Sequence, residues 1–370
     1  MKLRASAAQR AKWLLGMAAR QLNTASPAAV PDLSEVLDAS LYLPPGDPAY
    51  RSGQPLLQPR FTETAADNLS FVMDAGGPGA TPKDRIESVT QAMSRLVNNH
   101  FGSEALHWFR RHCEPAAEGH QRTLGWGAWF GTGLDRNGLH EAQATYEWGP
   151  ALMDSLPAAL YRMARVAVDS LPGLRPAVSA IRCGRSGGSQ QITFEIDQAM
   201  PLMSLEPLLK NLGLWHQHAS LMSATALVLG ARFTLPPNTS TITLQPLRNG
   251  VEFRLDVLLD ALPDPPQQLH SLLRMQMAER PRSLRALDRW MMALTPDGYP
   301  GPGQASILSV WVRPEMSARV ALYLRPAALE GDAPLNGHQA GHHRERGPNR
   351  PVADAVSTAT AADWSAWTPQ

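Results

Sequence analysis

Residues 124–148 read LGWGAWFGTGLDRNGLHEAQATYEW and contain the pattern that decides the fold. Two strand-like runs, Leu124–Asp135 and His140–Trp148, are joined by Asp135-Arg136-Asn137-Gly138, a turn sequence typical of a β-hairpin. Along the second run, polar side chains alternate with apolar ones, at Glu141, Gln143, Thr145 and Glu147. Because alternate residues of a strand face opposite sides, the pattern predicts a strand with one polar and one apolar face.

The same pattern recurs three more times along the chain. The paired runs are Ala177–Gly184 with Gln190–Asp197, Ser240–Gln245 with Val251–Val257, and Ser306–Val312 with Ala318–Arg325. A lone strand at Asn68–Asp74 precedes them, and helical stretches follow three of the four hairpins. We therefore predict an α+β fold: a closed antiparallel barrel of about ten strands, ringed by helices, with the polar faces lining a lumen. The alternative is a set of half-solvated sheets whose polar faces meet water.

The composition along the chain divides it into three segments. Residues 1–60 are predicted to form an N-terminal helix and an extended connector, because the stretch 41–66 is rich in proline and polar residues. Residues 61–330 form the barrel, and residues 331–370, rich in His, Gly, Pro, Ala and Thr without periodicity, form a disordered tail. The three histidines of this tail, His338, His342 and His343, are a weak metal signal, and no metal site is predicted.

Several classes of protein are excluded by composition. The chain has 370 residues, of which 44% are hydrophobic, and a net charge of +1, so a large core is expected and bulk nucleic-acid binding is not. Two cysteines cannot form a disulfide framework or a cysteine-based zinc cluster, which fits a cytoplasmic location. The N-terminus is basic, but its apolar run Trp13–Ala19 is interrupted by Gly16 and ends at Arg20. This favours a surface helix over a targeting peptide. No stretch is long and apolar enough for a membrane span.

The order of the elements and the closing strand carry a resemblance to a known family. The run Ala318–Pro326 contains the pattern Arg-x-x-x-Tyr-Leu-x-Pro. The segment Gln190–Gly213 reads as a strand followed by a helix that ends with the sequence Leu-Gly-Leu. Together with the lone strand, the helix pair and the successive hairpins, these segments resemble the αββα-barrel aromatic prenyltransferases, especially the dimethylallyltryptophan-synthase type. The resemblance covers roughly residues 60–330.

The resemblance implies a reaction and its participants. An enzyme of this family moves a dimethylallyl group from its diphosphate to an electron-rich aromatic acceptor, commonly an indole, as part of secondary metabolism. It needs no metal cofactor, with magnesium at most stimulatory, and its partners are the aromatic acceptor and the co-substrate dimethylallyl diphosphate. Such an enzyme is expected to be a monomer or a weak dimer.

The resemblance also implies which residues form the site. Arg254, Arg319 and Arg182 are expected to bind the diphosphate, because cationic groups must neutralise the leaving group. Tyr323 and Tyr146 are expected to shield the allyl cation by cation–π contact. Strand alternation, however, puts Tyr146 on the face opposite Glu147, so only one of these two neighbours can face the lumen.

Two acids are candidates for orienting the acceptor and receiving the ring proton. Glu63 is the nearest acid upstream of Asn68-Leu69-Ser70, where the family places an indole-binding glutamate, and Glu195 lies on a lumen strand. The lysines that family members carry on these strands are replaced here, for example by Ala144-Thr145-Tyr146.

A second function stays open because the predicted lumen contains several acids. Carboxylates repel a diphosphate, so a divergent barrel could instead bind or convert a small aromatic ligand without diphosphate chemistry. The net charge of the lumen distinguishes the two functions.

Overall fold

The computed structural model describes residues 5–50, 56–118, 124–147, 153 and 156–330. Ten strands close into one antiparallel barrel in the order β1-β12-β11-β10-β9-β6-β5-β4-β3-β2. The strands are β1 Leu57–Thr62, β2 Leu69–Met73, β3 Ala128–Asp135, β4 Gly138–Glu147, β5 Leu174–Gly184, β6 Gly187–Ile196, β9 Ser240–Leu247, β10 Gly250–Leu258, β11 Gly303–Arg313 and β12 Met316–Pro326. Two short strands, β7 Met200–Pro201 and β8 Thr234–Leu235, pair outside the barrel. The predicted fold is confirmed.

Nine α-helices occur in the described residues. They are α1 Ala7–Leu22, α2 Pro31–Ser40, α3 Pro82–Phe101, α4 Ser103–Glu118, α5 Ala158–Ser170, α6 Glu206–Asn211, α7 His218–Val228, α8 Leu269–Gln276 and α9 Pro281–Ala293. The helices cover the outer face of the barrel, where large side chains such as Phe71, Phe130, Phe194 and Phe253 are fully buried. Burying these apolar faces is the main stabilising contribution to the layered structure.

The connections give the barrel two different ends. Short turns join β1 to β2, β3 to β4, β5 to β6, β9 to β10 and β11 to β12, and antiparallel pairing places all five at one end, the hairpin end. The longer connections that contain helices lie at the opposite end, the helix end. Glycine permits the tight turns: Gly138 has φ of 106° and Gly250 has φ of 133°.

The stretch expected to be an extended connector contains a strand. Leu57–Thr62 is β1, which pairs with β2 on one side and with β12 on the other and so closes the barrel. The Asn68–Asp74 strand is therefore not alone, and the barrel begins at Leu57 within the segment assigned to the connector. Upstream, α2 is a second helix that the sequence analysis did not predict, and α1 buries its apolar face as expected.

Other boundaries differ by a few residues. The helix expected at Leu202–Leu212 is a 3₁₀ turn, Leu202–Leu205, followed by the short α6. Trp148 and the segment 331–370, expected to be a strand end and a disordered tail, lie outside the described residues, as do the three tail histidines.

Candidate functional site

A cavity of about 200 Å³ occupies the hairpin end of the lumen. Its wall includes inward-facing residues of β1, β4, β5, β10, β11 and β12, and its mouth includes Thr64 and Ala65 of the turn between β1 and β2. Several polar side chains of the wall, Glu141 and Arg254 among them, lie on strands for which alternation predicted an inward polar face. The chemistry of the cavity is set by Arg60, Arg182, Arg254, Arg313, Glu141, Glu252, His140, Trp311 and Tyr323.

One carboxylate holds two of the arginines. Glu141 Oε1 lies 3.1 Å from Arg60 Nη2, and its Oε2 lies 3.6 Å from Arg182 Nη1. Burial by itself would raise the pKa of Glu141, but Arg182 and Arg60 outweigh burial and hold that pKa below its usual range. Gly133 on β3 leaves room for this arrangement, since a Cβ there would lie 3.0 Å from Glu141 Cγ. Glu141 therefore stays ionised and orients both guanidinium groups.

Arg254 is fixed by a second set of polar groups. Its Nε lies 3.0 Å from Asp256 Oδ2, and its Nη2 donates to Thr243 Oγ1 at 3.2 Å. Asp256 Oδ1 also accepts a short hydrogen bond from Ser309 Oγ. Desolvation lowers the pKa of Arg254, but Asp256 and Tyr323 more than compensate, so that the pKa is raised. The guanidinium is permanently charged and held in one orientation.

Two aromatic rings line the same cavity. The Arg60 Cζ atom lies 6.0 Å from the ring centroid of Tyr323, and the Arg313 Cζ atom lies 4.8 Å from the ring centroid of Trp311. Arg313 is also paired with Glu252 at 2.7 Å. Both distances are within reach of a cation–π contact, so both ring faces accept positive charge in this geometry.

The formal charge of the cavity wall is positive. Four arginines, Arg60, Arg182, Arg254 and Arg313, face two glutamates, Glu141 and Glu252, which gives a balance of +2. Asp256 lies immediately behind Arg254 and reduces the local balance to +1. A wall of this sign attracts an anion, and the low dielectric of a lumen strengthens that attraction.

Comparison with solved structures identifies the fold. Neither the family models nor the curated proteins that were compared match this chain. Several solved structures do match this chain. The apo form of prenyltransferase PriB is 16% identical, with a TM-score of 0.66, over 90% of this chain and 99% of that chain. The 6-dimethylallyltryptophan synthase of Micromonospora olivasterospora, in complex with DMASPP and Trp, is 14% identical, with a TM-score of 0.70, over 88% and 98%. AnaPT from Neosartorya fischeri is 11% identical, with a TM-score of 0.58, over 88% and 96%.

This chain is an αββα barrel of the prenyltransferase fold. The resemblance drawn from the sequence is thus confirmed for the fold, and the low identity marks the chain as divergent. Among the described residues of this barrel, no group of three or more His, Cys, Asp and Glu side chains is placed to hold a metal ion. Nor does any helix in that part of the chain combine the length and apolarity that a membrane crossing needs.

The barrel brings together three of the residues named from the sequence. Arg182, Arg254 and Tyr323 all line the cavity, although they lie on β5, β10 and β12. Arg319 does not join them. It lies on the same side of β12 as Tyr323, but its Nη1 bonds to Ser317 and to the Ala318 carbonyl, outside the cavity.

Glu63 also lies outside the cavity. The Val320 N–H donates to Glu63 Oε2 at 3.3 Å, where β1 has ended and no longer pairs with β12. Arg280 Nε lies 2.5 Å from Glu63 Oε1, and Arg319 Nε lies 3.7 Å from the same oxygen. The side chain of Glu63 is 1% exposed. Its carboxylate is therefore engaged by the backbone of β12 and by Arg280 before α9, and it is not part of the cavity wall.

The other two predicted residues are also separated from the cavity. Glu195 does not line the cavity: it lies on β6 in register with Thr241 of β9, which in turn pairs with Asp256 of β10. Desolvation, reinforced by Glu147, raises the pKa of Glu195. Tyr146 is fully buried outside the wall, where its hydroxyl lies 3.0 Å from Thr90 Oγ1 of α3. The expectation that Tyr146 faces the lumen is wrong, because strand alternation places Glu147 inside.

Arg60 and Trp311 are among the cavity residues that sequence reasoning missed. Arg60 was assigned to the connector because of the prolines around it, yet Gln58, Arg60 and Thr62 alternate with Leu57 and Phe61 as in the other lumen strands. Trp311 belongs to a run that was predicted as a strand. Because alternate residues share a face, Trp311 lies on the same side as Ser309, and both side chains line the cavity. In both cases, the alternation along the strand could have predicted an inward-facing side chain.

Proposed function

We propose that this protein is an aromatic prenyltransferase that moves a dimethylallyl group from its diphosphate to an electron-rich aromatic acceptor. The observation that carries the proposal is the cavity whose wall contains Arg60, Arg182 and Arg254 together with Tyr323, whose ring Arg60 faces. A leaving diphosphate needs fixed positive charge, and the carbocation it leaves behind needs an aromatic face and little water. The positive balance of the wall supports this function over a cavity for a cation.

The residues have separate roles in the proposed reaction. Arg60, Arg182 and Arg254 neutralise the charge that develops on the diphosphate as the allylic C–O bond breaks. Tyr323 and Trp311 stabilise the allyl cation until the π electrons of the acceptor attack it. An indole is the first acceptor to test, because a solved structure of the same fold is a 6-dimethylallyltryptophan synthase crystallised with Trp. The arginines supply the positive charge, so the proposed reaction requires no metal ion.

Purified full-length protein incubated with dimethylallyl diphosphate and a panel of indoles, including tryptophan, tests the proposal. Mass spectrometry should detect a product heavier by one dimethylallyl group, formed equally with a metal chelator present. Inorganic diphosphate should compete with the donor, since both would bind the same arginines. Absence of product across indole, phenol and naphthalene acceptors would overturn the proposal.

The alternative is a barrel that binds or converts a small aromatic ligand without diphosphate chemistry. One observation favours it: Glu141, Asp256 and Glu252 already pair with the cavity arginines. In this case inorganic diphosphate should not bind, whereas neutral aromatic compounds should still quench the fluorescence of Trp311.

A further inference from the structure

An irregularity in β4 gives His140 its place in the cavity. Gly133 pairs with Glu141 and Leu134 pairs with Leu139, so His140 is the extra residue of a β-bulge. In a regular strand, Leu139 and Glu141 would share a face. Here Leu139 is buried in the hydrophobic core and Glu141 lines the lumen, with His140 beside it in the cavity wall. The bulge thus adds a side chain to the cavity that strict alternation would have pointed away.

We propose that His140 accepts the proton that the aromatic ring loses after it has been alkylated, an inference that rests on the proposed function. The allyl cation forms a bond to a ring carbon, which then carries both the new group and its hydrogen. The C–H bond breaks, its electron pair restores the aromatic ring, and the proton binds the neutral imidazole of His140. The imidazolium passes this proton to solvent, and the diphosphate departs with the C–O electron pair.

The other bases of the cavity are engaged by arginines. Glu141 is shared between Arg60 and Arg182, and Glu252 pairs with Arg313. An ion pair stabilises the ionised carboxylate and so weakens it as a base. Within the described residues that line the cavity, His140 is the remaining side chain with a ring nitrogen that can accept a proton.

The surroundings of His140 favour a positive charge on its ring. Asp135 Oδ2 lies 3.8 Å from His140 Nδ1, and Glu141 is its neighbour in the chain. Burial would raise the pKa of Asp135, but the Asn137 N–H and Arg185 lower it, so Asp135 is ionised. Arg182 and Arg60, which both pair with Glu141, oppose the imidazolium, and the bound diphosphate balances their charges. Asp135 therefore stabilises His140 after it receives the proton.

The size of the cavity places the acceptor next to His140. A volume of about 200 Å³ is below the roughly 300–1,000 Å³ of pockets that enclose a drug-sized ligand. The donor alone occupies most of it, with its diphosphate among the arginines. The acceptor must then lie at the mouth, where the His140 side chain is 38% exposed and close to the β3–β4 turn.

The test compares wild-type protein with His140→Gln, using indole with hydrogen or deuterium at all ring carbons. Loss of a general base should reduce kcat by about a hundredfold. It should also make proton removal rate-limiting, so that the kinetic isotope effect rises from near 1 to above about 2, while the KM of the donor changes less than about twofold. His107→Gln, at an exposed position on α4, is the matched control and should behave as wild type.

A second variant separates chemistry from structure. Added imidazole should raise the turnover of His140→Ala at least tenfold. If His140 has a purely structural role, added imidazole should leave this turnover unchanged. Normal turnover and an unchanged isotope effect in a folded His140→Gln protein, or failure of imidazole to restore His140→Ala, would overturn the inference. If the wild type itself forms no product, the proposed function fails, and this inference fails with it.

Discussion

The two ends of the lumen use glutamates of the same strand for different purposes. Glu141 and Glu147 lie on the same face of β4, three pleats apart. At the hairpin end, Glu141 contacts two arginine side chains in a cavity. At the helix end, Glu147 accepts backbone N–H bonds from Gly125, Trp126 and Gly127 at 2.8–2.9 Å. A carboxylate bonded to the backbone fixes the fold, whereas one paired with arginine side chains orients their remaining N–H groups toward an anion.

The largest expected effect is on stability at the helix end. Glu147→Ala removes three charge-assisted hydrogen bonds from a loop in which Gly127 already packs against Pro82, a hypothetical Cβ lying 2.1 Å from the Pro82 carbonyl oxygen. Leaving three N–H groups without this acceptor should lower the free energy of unfolding by on the order of 4 kcal/mol. Urea unfolding of the variant and of wild type measures this loss of free energy of unfolding. A midpoint equal to that of wild type would remove the distinction between the two glutamates.

The next effect is on activity at the hairpin end. Arg254→Ala should lower the turnover of donor by about a hundredfold, or about 3 kcal/mol, because a fixed donor to the diphosphate is lost. Arg254→Lys should lose less, since it keeps the charge but not the planar fork. Steady-state kinetics and the affinity for inorganic diphosphate measure both effects, with the circular dichroism spectrum as a check of folding.

Arg319→Ala is the matched control for Arg254→Ala. Arg319 lies on a lumen strand and was named from the sequence, but its guanidinium bonds to Ser317 and lies near Glu63. Its removal should change turnover less than threefold, because Arg280 still pairs with Glu63. Equal losses in the two variants would show that the diphosphate binds elsewhere than in the described cavity.

The contrast between Arg254 and Arg319 shows how far the sequence leads. Alternation within a strand is local, so it correctly predicted the polar lumen and that Tyr146 and Glu147 face opposite sides of β4. The direction of a long side chain at a strand end depends on partners far along the chain, and Glu63 lies 256 residues before Arg319. The bulge at His140 depends on the pairing with Gly133, which no count along one strand can reveal. The repeated hairpins predicted the barrel, because topology follows from the order of the elements and needs no particular site residue.

A smaller effect at the hairpin end should depend on pH. The pKa of Glu141 is lowered by Arg182 and Arg60, so its contribution to stability is present above the ordinary pKa of a glutamate and is lost as the pH falls through the lower folded value. Glu141→Gln should therefore cost on the order of 2 kcal/mol at pH 7. The difference from wild type should shrink below about pH 4. Urea unfolding across this range measures it, and a constant difference would argue against the ion pairs.

The smallest effect has the opposite sign and belongs to the helix end. Desolvation and Glu147 raise the pKa of Glu195, so the folded protein disfavours its ionised form. Below the ordinary glutamate pKa, Glu195 is protonated in both the folded and the unfolded protein and contributes nothing to stability. Above the raised pKa of the folded protein, it is ionised in both and destabilises the fold. Glu195→Gln should therefore raise the free energy of unfolding by about 0.5–1 kcal/mol at pH 8 and have little effect near pH 4.

Urea unfolding of Glu195→Gln and wild type at both pH values measures this difference. Thr193→Ser, two residues away on the same face of β6, is a control without a charge and should show no such pH dependence. If Glu195→Gln instead destabilises the protein at pH 8, the carboxylate is held by favourable bonds like those of Glu147. Because Glu195 does not line the cavity, the same substitution should leave the KM of the donor unchanged.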